Sequence, residues 1–211
     1  MYQLQKEIVF PPVHLANEDG LLAIGGDLSV ERLKLAYESG IFPWYNQGEP
    51  IIWYSPDPRM VLFPADLRIS KSMKQVIRKK EFTITYNQHF SKVISNCKQI
   101  YRPSDLGETW ITDEMQRAYI KLHKKGIAKS VEVWKNRELV GGLYGVDLGT
   151  VFCGESMFSK VSNASKLAFI YLTQKLEKEN YKVIDCQVYN PHLESLGAKE
   201  ISRGDFLKFL E

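Results

Sequence analysis

Asp185 and Gln187 stand two residues apart at the close of Lys182-Val-Ile-Asp-Cys-Gln187, an apolar run that predicts a strand over 181–186. In a strand, period two sets Asp185 and Gln187 on one face and Cys186 on the other. Glu155 lies in Gly154-Glu-Ser-Met-Phe-Ser159, directly after the β-rich run Thr150–Cys153. If the two runs are neighbours, both carboxylates and the amide converge on one pocket, with Met157 and Phe158 as its apolar wall. The motif holds no basic residue, so such a site is acidic and suits an α-ammonium, a Lys ammonium or an Arg guanidinium. The competing reading makes Glu155 a buried carboxylate neutralised by a core basic residue.

Other chemistries find no footing in the chain. The four histidines, at 14, 89, 123 and 192, are scattered, and none is placed as a base or in a metal-ligand spacing. No Ser sits in a nucleophile elbow, and no Walker loop is present. The glycine-rich pyrophosphate loop of acetyl-CoA enzymes is missing where Glu155-Ser156 stand. The expectation is therefore an enzyme without metal or cofactor. Cys97, Cys153 and Cys186 are odd in number and unpatterned, which fits a reducing, cytoplasmic setting. No run approaches a membrane span, and the first residues lack a signal-peptide core.

The net charge of the 211 residues is only +3, yet it is unevenly spread. Arg68, Lys71, Lys74, Arg78, Lys79 and Lys80 follow one another with no acid among them. Ser70 caps a predicted helix to about Lys80. Its apolar stripe is Ile69, Met73, Val76 and Ile77, and Lys71, Lys74 and Arg78 face the other way. A charge run is usually a solvated face. Six unrelieved cations repel one another, however, and phosphate contact relieves them.

The elements that position these groups follow from turn and cap signals. Two β-rich runs, Leu139–Val146 and Thr150–Cys153, flank Asp147-Leu148-Gly149, a hairpin signal. Gly154–Ser159 is too polar for a strand and reads as an irregular loop carrying Glu155. Ser162 or Asn163 then caps a helix from Ala164 to about Lys178. Ser29 caps a helix ended by Gly40, and Thr112 caps one ended by Gly126. Lys98–Glu108, with Arg102-Pro103, is a polar loop. The first sixty residues are rich in Pro, Gly and aromatics, most of which fill a small core. Trp44, between prolines and a turn, is the one placed to face a ligand. The fold class is α+β: a small N-terminal α/β domain over 1–62, then a domain over 63–211 with a mixed, largely antiparallel sheet in the order used by Gcn5-related N-acyltransferases.

Joined together, several segments resemble the leucyl/phenylalanyl-tRNA–protein transferases over nearly the whole chain. They are Gly20-Leu-Leu-Ala-Ile-Gly-Gly-Asp-Leu28, Gly40-Ile-Phe-Pro-Trp44, Trp53-Tyr-Ser-Pro-Asp-Pro-Arg59 and Thr109-Trp-Ile-Thr112. Further on come Gly141-Gly-Leu-Tyr-Gly145, Gly154-Glu-Ser-Met-Phe-Ser159, Asn163-Ala-Ser-Lys166, Asp185-Cys-Gln187 and Ser195-Leu-Gly-Ala198. Lys129 departs from the His of the family's Ala-His-Ser. The resemblance implies transfer of Leu or Phe from aminoacyl-tRNA to the α-amine of proteins beginning with Arg or Lys, in N-end rule tagging, by a monomer. It places the aminoacyl and terminal-adenosine pocket on Trp44, Trp110, Leu143, Met157 and Leu172. It places the tRNA-binding cluster on Lys71, Lys74, Arg78 and Lys79. The catalytic pair falls on Asp185 and Gln187, with Glu155 at the acceptor end. Asp185 either polarises Gln187 or only orients the amine while the ester's own ribose hydroxyl shuttles the proton. A different N-acyltransferase and a non-catalytic RNA-binding module are the remaining classes.

Overall fold

The computed structural model describes residues 2–100 and 109–211. Residues 101–108 of the expected polar loop, Arg102-Pro103 included, lie outside the described residues.

The N-terminal part holds β1 (Tyr2–Leu4), β2 (Leu21–Gly25), α1 (Val30–Glu38), β3 (Phe42–Pro43) and β4 (Ile52–Tyr54). Its sheet has the order β1-β2-β4-β3, with β1 and β2 parallel and the other pairs antiparallel. Ser29 accepts a hydrogen bond from the Arg32 amide and starts α1 as its sequence requires. Gly40, at φ +72°, ends it.

The remainder is β5 (Arg59–Leu62), α2 (Lys71–Lys79), β6 (Thr83–Tyr86), α3 (Phe90–Gln99), α4 (Asp113–Lys124), β7 (Ala128–Lys135), β8 (Glu138–Asp147) and β9 (Val151–Ser159), then α5 (Ala164–Lys178), β10 (Val183–Gln187), α6 (Pro191–Ser195), β11 (Lys199–Ile201) and α7 (Arg203–Leu207). The seven strands lie in the order β11-β5-β10-β9-β8-β7-β6. The β9/β10 pair is parallel and the others antiparallel, so the sheet is mixed and mainly antiparallel, and the class is α+β as expected. The expected boundary at 62/63 falls at the end of β5, a strand that pairs with β10 and β11 in this larger sheet. Two apolar layers cover the sheet. Phe90, Val93, Met115, Tyr119 and Leu122 pack in one, and Leu167, Phe169, Ile170, Leu172 and Leu176 of α5 in the other. The close approach of α5 depends on Gly141, where a Cβ would stand 2.5 Å from that of Ala164.

Two local expectations are corrected. Gly154–Ser159 is not a loop: β9 runs unbroken through it, paired with β8 from Phe152 to Ser159. Polar side chains are tolerated there because several turn toward a cavity and find partners. Asn163 occupies the cap position of α5 in a left-handed conformation (φ 70°), and its side chain makes no capping bond. Ser159 Oγ accepts from the Ser165 amide instead.

Candidate functional site

The site forms where two parallel strands part company. β9 and β10 pair only through Val151–Val183, Phe152–Ile184 and Cys153–Asp185. Beyond that point each carries a bulge. On β9, Tyr144 faces Ser156 and Gly145 faces Gly154, which leaves Glu155 as the extra residue. Gly145 makes this possible, since a Cβ there would meet the Cys153 carbonyl oxygen at 2.2 Å. On β10, Val61 faces Asp185 and Met60 faces Gln187, which leaves Cys186 over. Gln187 takes φ 66°, so the simple alternation expected of Asp185 and Gln187 fails at the bulge. Both irregularities aim polar side chains into the gap.

A cavity of about 260 Å³ occupies that gap. Trp44, Trp110, Leu143, Met157 and Leu172 all line it, together with Glu155, Asp185 and Gln187. The structure thus gathers every side chain the resemblance assigned to donor pocket and catalysis. Trp44 is 43% exposed and tilts against Tyr54 with ring centroids 6.0 Å apart. Lys71, Lys74, Arg78 and Lys79 are exposed on α2, and none of them lines the cavity. The helix starts where expected, with Ser70 accepting from the Met73 amide at 3.2 Å.

The expected acidic site without a basic partner is corrected by Arg59. Its guanidinium forks onto Asp185, with Nε to Oδ1 at 2.8 Å and Nη2 to Oδ2 at 2.7 Å. Both side chains are buried. Arg59 Nη1 donates to the Gly40 carbonyl at 3.1 Å, and its Cζ lies 4.9 Å from the Phe42 ring centre and 4.7 Å from that of Phe206. Asp185 Oδ1 also accepts from the Gln187 amide at 2.9 Å, which pins the bulge. Asp185 is therefore a neutralised anchor, with its charge already spoken for.

Glu155 is held by neutral donors. Gln187 Nε2 donates to its Oε1 at 2.8 Å and the Tyr119 hydroxyl to its Oε2 at 2.9 Å. The Tyr119 hydroxyl is in turn bonded to that of Tyr37. Burial pushes the Glu155 carboxyl from 4.5 up to about 7; the tyrosine and amide hydrogen bonds oppose that rise, and Asp185 adds to it. Burial, then the Glu155 charge, raises both tyrosines well above their ordinary value, so they remain protonated donors. With one hydrogen bond from Nε2 given to Glu155, the amide oxygen is the acceptor atom that the Gln187 side chain offers.

Sequence reasoning missed Arg59, Tyr37 and Tyr119 as site residues. Tyr119 carries a signal: a phenol on a buried helical stripe needs a partner for its hydroxyl. Arg59 closes the Ser55-Pro-Asp-Pro-Arg59 segment, and no local pattern links it to a residue 126 positions on. No three His, Cys, Asp or Glu side chains among the described residues are grouped to hold a metal ion. No helix among them is long and apolar enough to cross a membrane.

Comparison with known proteins bears on the chain as a whole. A family model described as leucyl/phenylalanyl-tRNA protein transferase matches residues 61–211, and one for the N-terminal domain of that transferase matches 26–57. The chain is similar to the leucyl/phenylalanyl-tRNA–protein transferase of Flavobacterium johnsoniae, with 66% identity over 100% of this chain and 99% of that one. Identity to the transferase of Christiangramia forsetii is 59%, covering 100% of both chains. Among solved structures, a GCN5-related N-acetyltransferase from Kribbella flavida aligns with TM-score 0.41 and 11% identity, over 80% of this chain and 60% of that one.

Proposed function

The chain belongs to the leucyl/phenylalanyl-tRNA–protein transferase family and is an aminoacyltransferase that uses aminoacyl-tRNA and a protein; from that premise we propose that it moves Leu or Phe to the N-terminal α-amine of proteins beginning with Arg or Lys. The observation that carries this reading is the cavity itself. Its lining joins apolar and aromatic side chains to the Gln187 amide held by Glu155 and the Asp185 bulge.

An aminoacyl ester is already activated, so the enzyme has to position an amine and stabilise a tetrahedral oxyanion. Trp44 and Trp110 take the terminal adenine between or beside them, as stacking on aromatics favours. Leu143, Met157 and Leu172 take the Leu or Phe side chain. Contact with these side chains excludes branching at Cβ, whereas a merely missing methylene contact discriminates by only ~1–3 kcal/mol. The Gln187 amide oxygen accepts from the incoming amine. An α-amine titrates at about 7.7–8.0 in model compounds, so little basicity is required of the enzyme. Asp185 acts by geometry, because both of its oxygens are engaged by Arg59. Its bond to Gln187 is to the backbone amide and not to the side chain, which supports the ribose-hydroxyl route for the proton over polarisation of Gln187 by Asp185. The exposed Lys71, Lys74, Arg78 and Lys79 hold the phosphates of the acceptor stem by charge. The enzyme works in the cytoplasm as a monomer, its domain over 1–62 supplying aromatic residues to the pocket of the domain over 63–211.

The decisive assay follows labelled Leu from tRNA to an Arg-starting peptide. Transfer to that peptide, and its absence with a Glu-starting peptide or with acetyl-CoA as donor, is the expected result. Transfer indifferent to the acceptor's first residue overturns the acceptor assignment.

A further inference from the structure

Arg59 falls between the two family-model matches, at residues 26–57 and 61–211. Yet it touches three parts of the molecule at once. Its fork holds Asp185, and through the Asp185 carboxylate it fixes the Gln187 amide and the bulge on which Gln187 stands. Its third nitrogen, Nη1, holds the Gly40 carbonyl, two residues before Phe42, which lines the cavity together with Pro43 and Trp44. The rings of Phe42 and Phe206 lie 4.9 and 4.7 Å from the guanidinium carbon, so the strand that bears the donor wall and the C-terminal α7 both pack on the same cation. The fork geometry is available to a planar guanidinium and not to an ammonium.

We propose that Arg59 is a positioning residue of the transfer reaction: one guanidinium sets the Phe42–Trp44 donor wall and the Asp185–Gln187 acceptor turn at a fixed separation. The claim rests on the assignment of the cavity to the aminoacyl ester and of Gln187 to the amine. Buried charges of this kind are not needed for stability, since a well-packed apolar pair often serves as well. Their use here is registration. Two reacting groups displaced by about 1 Å lose on the order of 100-fold in rate without losing their binding contacts.

The test is Arg59→Lys, which keeps the positive charge and loses the fork. Steady-state transfer is measured with aminoacyl-tRNA and an Arg-starting peptide, each varied separately. The expected result is a kcat lower by about 100-fold or more, with both KM values within about threefold of wild type. A smaller fall in kcat, or a KM shift beyond that range, overturns the proposal, because a structural or binding role would produce it. Should Arg59→Lys fail to fold, the neutral pair Arg59→Met with Asp185→Asn removes both charges and keeps approximate shape. Its kcat should lie within about threefold of Asp185→Asn alone, since Arg59 acts through Asp185 and the two losses do not add. A kcat outside that range, in either direction, overturns the proposal. Failure of the function reading is a separate outcome: wild-type enzyme would then transfer neither Leu nor Phe from tRNA. The variant-to-wild-type ratios would still be read with whichever aminoacyl-tRNA the wild type uses.

Discussion

Two buried carboxylates share one cavity and are handled in opposite ways. Asp185 is met by a guanidinium fork, so its charge is matched inside the protein. Glu155 is met by an amide and a phenol, neither of them charged, and burial leaves its carboxyl at about 7. The first group has both oxygens committed to the guanidinium and acts by holding other atoms in place. The second sits at the edge of titration near neutrality, where its charge state can set how firmly Gln187 is held. Residue type alone does not distinguish them; the partner does.

Replacing each in turn should break the comparison or sharpen it, and the largest effect is expected at Asp185. Asp185→Asn leaves the Arg59 cation buried without its counter-charge, a situation that typically costs about 3–5 kcal/mol. Transfer should fall by about 100-fold or more through the loosened Gln187 turn, while aminoacyl-tRNA binding stays near normal. Near-normal turnover in a folded Asp185→Asn enzyme sinks the positioning role. The measurements are a denaturant melt, a kcat determination and a tRNA-binding titration.

Glu155→Gln should move stability the other way. Its carboxyl lies at about 7 in the folded protein against an ordinary 4.5. The native state therefore binds more protons than the unfolded chain between those values, and stability falls as pH rises through that window. The cost is fully present above about pH 7 and absent below about pH 4.5. Glu155→Gln should thus be more stable than wild type at pH 8, by on the order of 3 kcal/mol, and no more stable at pH 4.5. Its activity should drop about tenfold, since a neutral amide holds Gln187 Nε2 less firmly than a carboxylate. The limb near pH 7 should vanish from the pH profile, leaving the amine's own. Equal losses of stability in both variants at pH 8 would show that the two carboxylates are merely structural.

Donor binding supplies the contrast to both. Lys74→Ala with Arg78→Ala should weaken tRNA binding by several-fold and flatten its salt dependence by about one unit of slope per lost phosphate contact. Transfer from a minimal aminoacyl-adenosine should hardly change. Equal losses with tRNA and with the minimal donor would show that the basic face of α2 shapes the fold and does not grip phosphate.

What could be read in the sequence follows from the range of each signal. The helix caps at Ser29, Ser70 and Thr112 are set by residues a few positions apart, and the structure keeps all three. The strands of the meander were legible from alternation and from the Asp147–Gly149 turn, where the Gly149 amide donates to Asp147 Oδ1. The two bulges were not, because each depends on the strand opposite: Glu155 looks like a loop residue until Gly145 and Tyr144 are set against it. Arg59 was unreadable for the same reason at longer range, since 126 residues separate it from Asp185. Of the three chemical groups expected to converge, all do, but the cation that engages one of them closes the Trp53–Arg59 segment, where nothing local marks it as a partner of Asp185.

The smallest effect is expected at Tyr119, and it tests the Glu155 side of the comparison most finely. Its hydroxyl donates to Glu155 Oε2 at 2.9 Å and is itself bonded to the Tyr37 hydroxyl. That donation favours the charged carboxylate and so works against burial. Tyr119→Phe keeps the ring against Tyr144, from which its centre lies 5.6 Å, and removes only the donor. The Glu155 carboxyl should then rise further above 7, because burial is opposed by fewer hydrogen bonds. The limb of the pH profile assigned to Glu155 should move to higher pH, so activity at pH 7 should fall a few-fold and recover at pH 8.5. The bonds to Asp185 come from Arg59 and the Gln187 amide, so the Arg59 pair should be undisturbed and kcat on the high-pH plateau should match wild type. A uniform loss at every pH would mean that Tyr119 supports the site by packing alone. In that case the hydroxyl chain through Tyr37 does not tune Glu155, and the contrast between the two carboxylates rests on burial and Gln187 without it.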